Sequence, residues 1–257
     1  MMRRLVGSEM CIRDSVIGNG ESRNIYPIEK LKGNGIIYGC NAIYRDHPML
    51  CDHIVAVNPP MYEELAKWHN NGKESPQIHG IDDISKWNYI CPGDDEEDVP
   101  EGLKIYRVWR GGDIKKGGKI RTIDFTESRG SGMSAVLMAA ESGIKNIVIM
   151  AFDILGAQQW EMETPSRIQN NIYKNSLNYP DRESMKAYLK YEWMYQLRQI
   201  IRRFSDTNFY FINRKEYLYG NTFLRWYLDQ PNVKAGIYAD LQRWVDGFRD
   251  DIKWLEL

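Results

Sequence analysis

The chain predicts an α/β fold: a Rossmann-like, mostly parallel sheet flanked by helices, with a lid region and a helical C-terminus. Two observations carry this. From Val16 onward, short apolar runs alternate with polar, turn-rich segments, the pattern of strands joined by helical crossovers. Four of these runs end in Gly, Asn or Asp, residues that turn the chain at the carboxyl edge of an open sheet, where such folds hold ligands. With 257 residues, 43% hydrophobic and 27% charged, the chain is large enough to bury a core. It shows none of the bias of disordered, collagen-like or coiled-coil sequences.

In chain order, Met1–Ser15 reads MMRRLVGSEMCIRDS, and its SEMCIRDS portion resembles translated sequencing-adapter fragments. We read 1–15 as a non-native or disordered leader, and 16–257 as a single Rossmann-like nucleotide-binding domain. Strands are expected at Cys11–Ile17, Gly35–Cys40, His53–Asn58, Ile105–Trp109, Lys145–Phe152 and Asn208–Asn213. Each is an apolar run bounded by turn-forming or charged residues. Helices are expected at Ile25–Leu31, Ala42–His47, Pro60–Asn70, Ser131–Ser142, Arg182–Phe204, Thr222–Leu228 and Tyr238–Leu255. In the last, Leu241, Trp244, Val245, Phe248, Ile252 and Leu255 share one apolar stripe. The acidic run Asp94–Asp98 and the Gly/Lys-rich Gly111–Arg121 read as solvated loops or a hairpin.

Composition narrows the function classes. A net charge of −1 argues against broad attraction to nucleic acid. No apolar run approaches the roughly eighteen residues of a membrane span, so no span and a cytoplasmic location are expected. Cys11, Cys40, Cys51 and Cys91 form no CxxC pair and read as reduced thiols.

Four strand ends are candidate ligand positions. In the first, Val16-Ile17-Gly18-Asn19-Gly20-Glu21-Ser22, Gly18 and Gly20 allow close backbone approach to a ligand, and free amides at the turn favour a phosphate. A plain tight turn explains the same residues. The second and third deliver Asn41 and Asn58, amides that both donate and accept, as a ribose or a base edge requires. Each Asn alone can equally be a helix cap or turn former. Together with Asn19 they would make a neutral hydrogen-bonding rim. The fourth is Gly130-Ser131-Gly132 at a helix start, a seat for a negative group, followed by the strand ending in Asp153.

The segments VIGNGES, CNAIY, VNPP and SRGSGMSAVLMAAESGIKNIVIMAFD occur in the order and relative spacing of a known group. The chain resembles the bacterial sialyltransferases of glycosyltransferase family 42 and the wider DUF115 and pterin-diphosphokinase-like Rossmann domains. It is also similar to short uncharacterised proteins of tailed phages. The resemblance covers Val16–Asn58 and Thr126–Asp153. It implies a cytidine nucleotide-sugar held by Asn19, Asn41, Asn58, Ser131 and Gly132, to which the glycine turn adds Gly18, Gly20 and Ser22 as nucleotide-binding candidates, with transfer of the sugar to an acceptor glycan or small molecule and no metal or other cofactor. The family uses a histidine base placed after the strand that here ends in Asp153. This chain departs from it, because His47, His53, His69 and His79 all come earlier.

The polar stretch Leu155–Pro180 reads as a lid. In it Tyr173 and Tyr179 can donate to a leaving phosphate, Arg167 or Lys174 can neutralise it, and Asn170, Asn171 and Asn178 add polar contacts. Asp153 or Glu161 would supply a base. A solvated connection with buried tyrosines is the plainer alternative. The grouping Asp46-His47 and Cys51-Asp52-His53 matches no common metal spacing and reads as structural. Two further functions stay open. One is an ATP- and magnesium-dependent diphosphokinase with Asp153 and Glu127 as ligands. The other is a non-catalytic nucleotide-binding module. The absence of GxxxxGK[ST] excludes a P-loop kinase, and the missing third glycine disfavours a nicotinamide enzyme. An oligomer is compatible with everything above.

Overall fold

Strands buried on both faces need side chains that satisfy two apolar layers, and Val16 and Ile17 of the run DSVI, the run IYGC and the IVIM of NIVIM provide them. The computed structural model describes residues 13–48, 50–56, 61, 64, 65, 68, 88, 89, 104, 105, 130–153, 171–173, 176, 177, 179, 187–218, 229–248 and 252–255. The strands are β1 (Asp14–Ile17), β2 (Ile37–Cys40), β3 (His53–Val55), β4 (Asn88–Tyr89), β5 (Lys104–Ile105), β6 (Asn146–Met150), β7 (Asn208–Asn213) and β8 (Val233–Ile237). Six form one sheet in the order β3-β2-β1-β6-β7-β8, while β4 and β5 pair with each other. All pairings in the large sheet are parallel. The order reverses between β1 and β6, which makes it the dinucleotide-fold sheet with its switch point there.

Period-two alternation builds a core on each face. Val16, Ile147, Ile149, Phe209 and Phe211 join one apolar cluster, with Ala135, Val136 and Ala139 of α1 (Ser131–Glu141) and Leu197, Ile200 and Ile201 of α2 (Ala187–Arg203). Ile17, Val148, Met150, Tyr210 and Ile212 join the other, with Leu241 and Trp244 of α4 (Tyr238–Val245). A short α3 (Lys215–Leu218) follows β7. Each fully buried Ile or Leu contributes about 1.5–3 kcal/mol. α1 runs antiparallel to the strands. Its first residue, Ser131, bonds to Asn41 beyond β2, and just past its end Ser142 donates to Asp14 at the start of β1, 3.4 Å away. Gly143, at φ +82°, then stops the helix in the left-handed conformation.

Several elements differ from expectation. The sheet takes up Asp14 and Ser15 from the stretch read as a leader, and Arg13 beside them is 2% exposed. The helix expected at Ile25–Leu31 is replaced by two 3₁₀ turns, Glu21–Ile25 and Ile28–Leu31, because Pro27 between them lacks an amide hydrogen. The segment after β2 is likewise a 3₁₀ turn, Asn41–Arg45. The C-terminal helix ends at Val245. Gly247 turns the chain at φ +93°, Phe248 is 60% exposed, and Leu255 instead bridges antiparallel to Ala235. Strand β8 was not expected. VKAGI interrupts its apolar residues with Lys and Gly, as an edge strand tolerates, and the Leu255 bridge covers that edge. The expected helix Thr222–Leu228 and residues 106–109 lie outside the described residues.

Candidate functional site

Beyond the sheet, the chain segments leaving β1 and β6 stay zipped together. Gly18 N–H donates to Met150 O and Gly20 N–H to Ala151 O, both at 2.9 Å. A Cβ on Gly18 would lie 2.3 Å from Ala151 O, and one on Gly20 would lie 2.4 Å from Asp153 Cγ. The two glycines therefore let one loop approach the other this closely. Ala151 holds φ +57°, a left-handed conformation that costs a residue with a Cβ about 1–2 kcal/mol. Its carbonyl is thereby delivered to Gly20.

Asp153 completes this seam. Its Oδ2 accepts from Ser22 N–H at 2.8 Å, and its Oδ1 accepts from Ser22 Oγ–H at 2.6 Å and Asn213 Nδ2 at 3.1 Å. Tyr238 OH stands 2.9 Å from Ser22 Oγ and donates to it, since the serine proton is already committed. Burial pushes the Asp153 carboxyl above its ordinary range, against the lowering effect of these donors. With both oxygens engaged, Asp153 is a clamp joining the chain beyond β1, β6 and β7. Ser22 belongs to the same clamp. Arg214 sits alongside, donating to Glu21 O at 3.3 Å.

On the β2 side of the switch point the arrangement is different. Arg23, 2% exposed, donates to Gly18 O, Asn19 Oδ1, Asp46 Oδ2 and Tyr173 OH at 3.2, 3.4, 3.0 and 2.7 Å. It thereby ties up the oxygen of the Asn19 amide and leaves its nitrogen to donate to Tyr179 OH at 3.2 Å. Asn41 repeats this logic. Its φ of +51° lies in the left-handed region that Asn tolerates, and its Oδ1 accepts from Ser131 Oγ–H at 2.7 Å. The remaining Asn41 NH₂ and the Ala42 backbone N–H act on the phenol oxygen of Tyr179, partly offsetting the burial that pushes this phenol well above its usual range. Burial raises Tyr173 similarly, with Arg23 opposing it.

Residues 171–173, 176, 177 and 179 lie as a strap over this edge. Asn171 bridges to Gly20, and Ile172 N–H donates to Asn19 O at 3.0 Å. Arg45 donates to Ser176 Oγ at 2.7 Å and Leu177 O at 2.8 Å while forking onto both oxygens of Glu64, which Tyr44 OH also reaches. The rings of Tyr173 and Tyr179 lie 5.6 Å apart.

Of the residues singled out in the sequence, Asn19, Asn41, Ser131, Tyr173 and Tyr179 come together in one connected set. Gly18, Gly20, Ser22 and Asp153 lie in the adjoining seam. Gly132 admits the Phe152 ring, which a Cβ would meet at 3.0 Å. Asn58, Glu127, Glu161, Arg167, Asn170, Lys174 and Asn178 lie outside the described residues. Arg23 and Arg45 were not singled out, because a charged residue in a polar stretch reads as solvated. Only burial and partners separated by up to 150 positions distinguish them. The Asp46 to His53 grouping divides among structural partners: Asp46 pairs with Arg23, His47 with Glu29 at 2.7 Å, Asp52 accepts from Ile37 N–H, and His53 stacks on Tyr38. Among the described residues no group of three or more His, Cys, Asp or Glu could hold a metal ion, and no helix is long and apolar enough to cross a membrane.

Fold and site together define an α/β protein of dinucleotide-fold topology with a hydrogen-bonded cluster of Asn19, Asn41, Ser131, Arg23 and Tyr179 at the carboxyl edge of β1 and β2. No family model matches the chain, and no curated protein matches it. Among solved structures it is similar to the monofunctional alpha-2,3-sialyltransferase Cst-I from Campylobacter jejuni, at 13% identity and a TM-score of 0.39, over 82% of this chain and 79% of that one. A likeness of that degree carries no argument about activity.

Proposed function

We propose that the chain is a glycosyltransferase-like protein that binds a pyrimidine nucleotide-sugar, of the CMP-sugar type, in the slot between Asn19, Asn41 and Ser131. Its reaction would pass the sugar to a hydroxyl of an acceptor glycan or small molecule, with the nucleotide phosphate departing and no metal or further cofactor required. The observation that carries the reading is the direction of the two amides. Arg23 and Ser131 engage their oxygens, which leaves both NH₂ groups as donors, and that of Asn19 reaches the phenol oxygen of Tyr179 at 3.2 Å. Such a nest suits an acceptor oxygen, as on a phosphate or a pyrimidine carbonyl. Support also comes from the sequence resemblance to family 42 sialyltransferases. Tyr179, already at this position, is the phenol placed to meet a phosphate there, while Tyr173 is the buried support that Arg23 holds.

The test is thermal unfolding with CMP, UMP and a CMP-sugar. At a hundredfold excess over Kd a ligand stabilises the native state by about 2.7 kcal/mol, or about 5–10 °C in Tm for a chain of this size. Asn41→Gly keeps the left-handed backbone without steric cost and should abolish most of that shift. No shift with any of these nucleotides on folded protein refutes the reading.

A further inference from the structure

At the carboxyl edge of the sheet, Arg23 and Arg45 are each neutralised within the protein, by Asp46 and Glu64. Arg214, the residue after β7, is not. Its backbone N–H is fixed on Asn213 Oδ1 at 2.8 Å, and its half-buried guanidinium reaches past the end of β6 to donate to Glu21 O at 3.3 Å. Among the described residues that carbonyl is the guanidinium's one acceptor: it makes no ion pair, and its buried Nε meets no acceptor at all. The Asp153 carboxyl feels the charge, but Ser22 and Asn213 occupy both its oxygens. A half-buried cation left with one neutral partner is costly, and an anion offsets that cost.

We infer that Arg214 anchors a second ligand position, a seat for an oxyanion of carboxylate or phosphate chemistry, across the switch point from Asn41. The inference rests on the proposed function only for what the anion belongs to. A guanidinium fork matches the oxygen spacing of either group, and a charged acceptor gives it stronger hydrogen bonds than the Glu21 carbonyl does. Its place in the fold agrees. Asn41 follows β2 and Arg214 follows β7, so they stand on opposite sides of the β1–β6 boundary. Sheets of this order hold the two parts of a long ligand on either side of that point. Glu21, which Arg214 touches, is two residues past Asn19, a span of at most about 7 Å. A nucleotide on the β2 side would therefore extend its sugar, and the acceptor beyond it, toward Arg214. The charge that Arg214 answers then sits on the sugar or the acceptor rather than on the nucleotide phosphate.

The test is an NMR titration of the ¹⁵N-labelled full chain with inorganic phosphate and with acetate. Two signals report: the Arg214 Nε–H, identified by its loss in Arg214→Lys, and the backbone amide at position 214, which survives substitution. Both should move saturably with at least one of the two anions. In Arg214→Gln, shown to be folded by circular dichroism, the affinity read from the backbone amide should fall about tenfold or more, as expected for a lost charge-assisted fork. Signals that stay still, or that drift in proportion to salt as those of the exposed Arg202 do, overturn the inference. So does an Arg214→Gln protein that binds as tightly as wild type. The titration is then repeated at saturating CMP. Binding that persists supports a separate seat, whereas competition by CMP overturns it and makes Arg214 part of the nucleotide's own phosphate site. With a CMP-sugar whose sugar is acidic, displacement of the small anion assigns the seat to the donor, and co-binding assigns it to the acceptor. If the small anions bind at Arg214 and no nucleotide binds anywhere, the seat stands and the nucleotide reading falls.

Discussion

Gly18→Ala separates two explanations of the glycine turn after β1. If the glycine is there to admit a ligand, the variant folds normally and loses affinity. If it is there to let the β1 and β6 loops touch, stability falls first. The structure favours the second reading, since a Cβ at Gly18 would sit 2.3 Å from Ala151 O and 2.9 Å from its carbonyl carbon, both backbone atoms that no rotamer change can move aside. Relief requires the loops to part by about 1 Å to reach ordinary contact. That separation breaks the hydrogen bonds from Gly18 to Met150 and from Gly20 to Ala151, each 2.9 Å long. Two net hydrogen bonds at about 0.5–1.5 kcal/mol each, with overpacking strain on the order of 1–3 kcal/mol, give a loss of about 2–5 kcal/mol. For a chain of this size the Tm should fall by about 5–15 °C. Gly132→Ala serves as the comparison, because its Cβ would meet only the edge of the Phe152 ring at 3.0 Å, and it should cost clearly less. Denaturant unfolding with a circular-dichroism readout measures both. A Gly18→Ala protein as stable as wild type would refute the zipper argument and return the glycine to the ligand.

The clamp at Asp153 carries a pH signature. Burial raises its native carboxyl above the ordinary 3.8, so the folded state keeps the proton longer than the unfolded one. Its contribution is then present at low pH and lost as pH rises through the native value. Measured by denaturant unfolding, the stability difference between wild type and Asp153→Asn should be more favourable to wild type near pH 4 than at pH 7, and a constant difference contradicts the assignment. Arg23→Met should destabilise by about 2–4 kcal/mol, because Tyr173 OH and Gly18 O lose a buried donor while the half-exposed Asp46 rehydrates. The same variant should weaken CMP binding by freeing the Asn19 amide to turn, and Arg23→Lys should not restore it, since an ammonium cannot span the same four partners. A stability loss under 1 kcal/mol would remove Arg23 from the site.

The central strands were readable because parallel strands buried on both faces must be continuously apolar, and Ile147, Val148, Ile149 and Met150 are. Helix α1 was readable from its small residues and from Gly143 at the stop. β8 was not, because an edge strand tolerates Lys234 and Gly236 among its apolar residues, and a run of five with two such interruptions has no distinctive period. The C-terminal stripe misled for a related reason. Leu241, Trp244 and Ile252 are all buried, but the last is reached after the turn at Gly247 rather than along one helix, so helical spacing matched residues that different elements carry inward.

By itself the sequence determined the local faces: which residues point into a core, which end a strand, and that amides and a serine stand at those ends. Only the tertiary structure decided what each of them meets. Asn19 finds Tyr179 across 160 positions, and Ser131 finds Asn41 across 90. Gly18 and Gly20 meet the backbone leaving β6, and a charged residue in a polar stretch, Arg23, becomes the buried centre of the site. The reason is physical. Periodicity records the apolar side of a segment, which is a local property. The partner of a polar group is set by strand order and crossover geometry, which come into being only when segments distant in the chain are packed against one another.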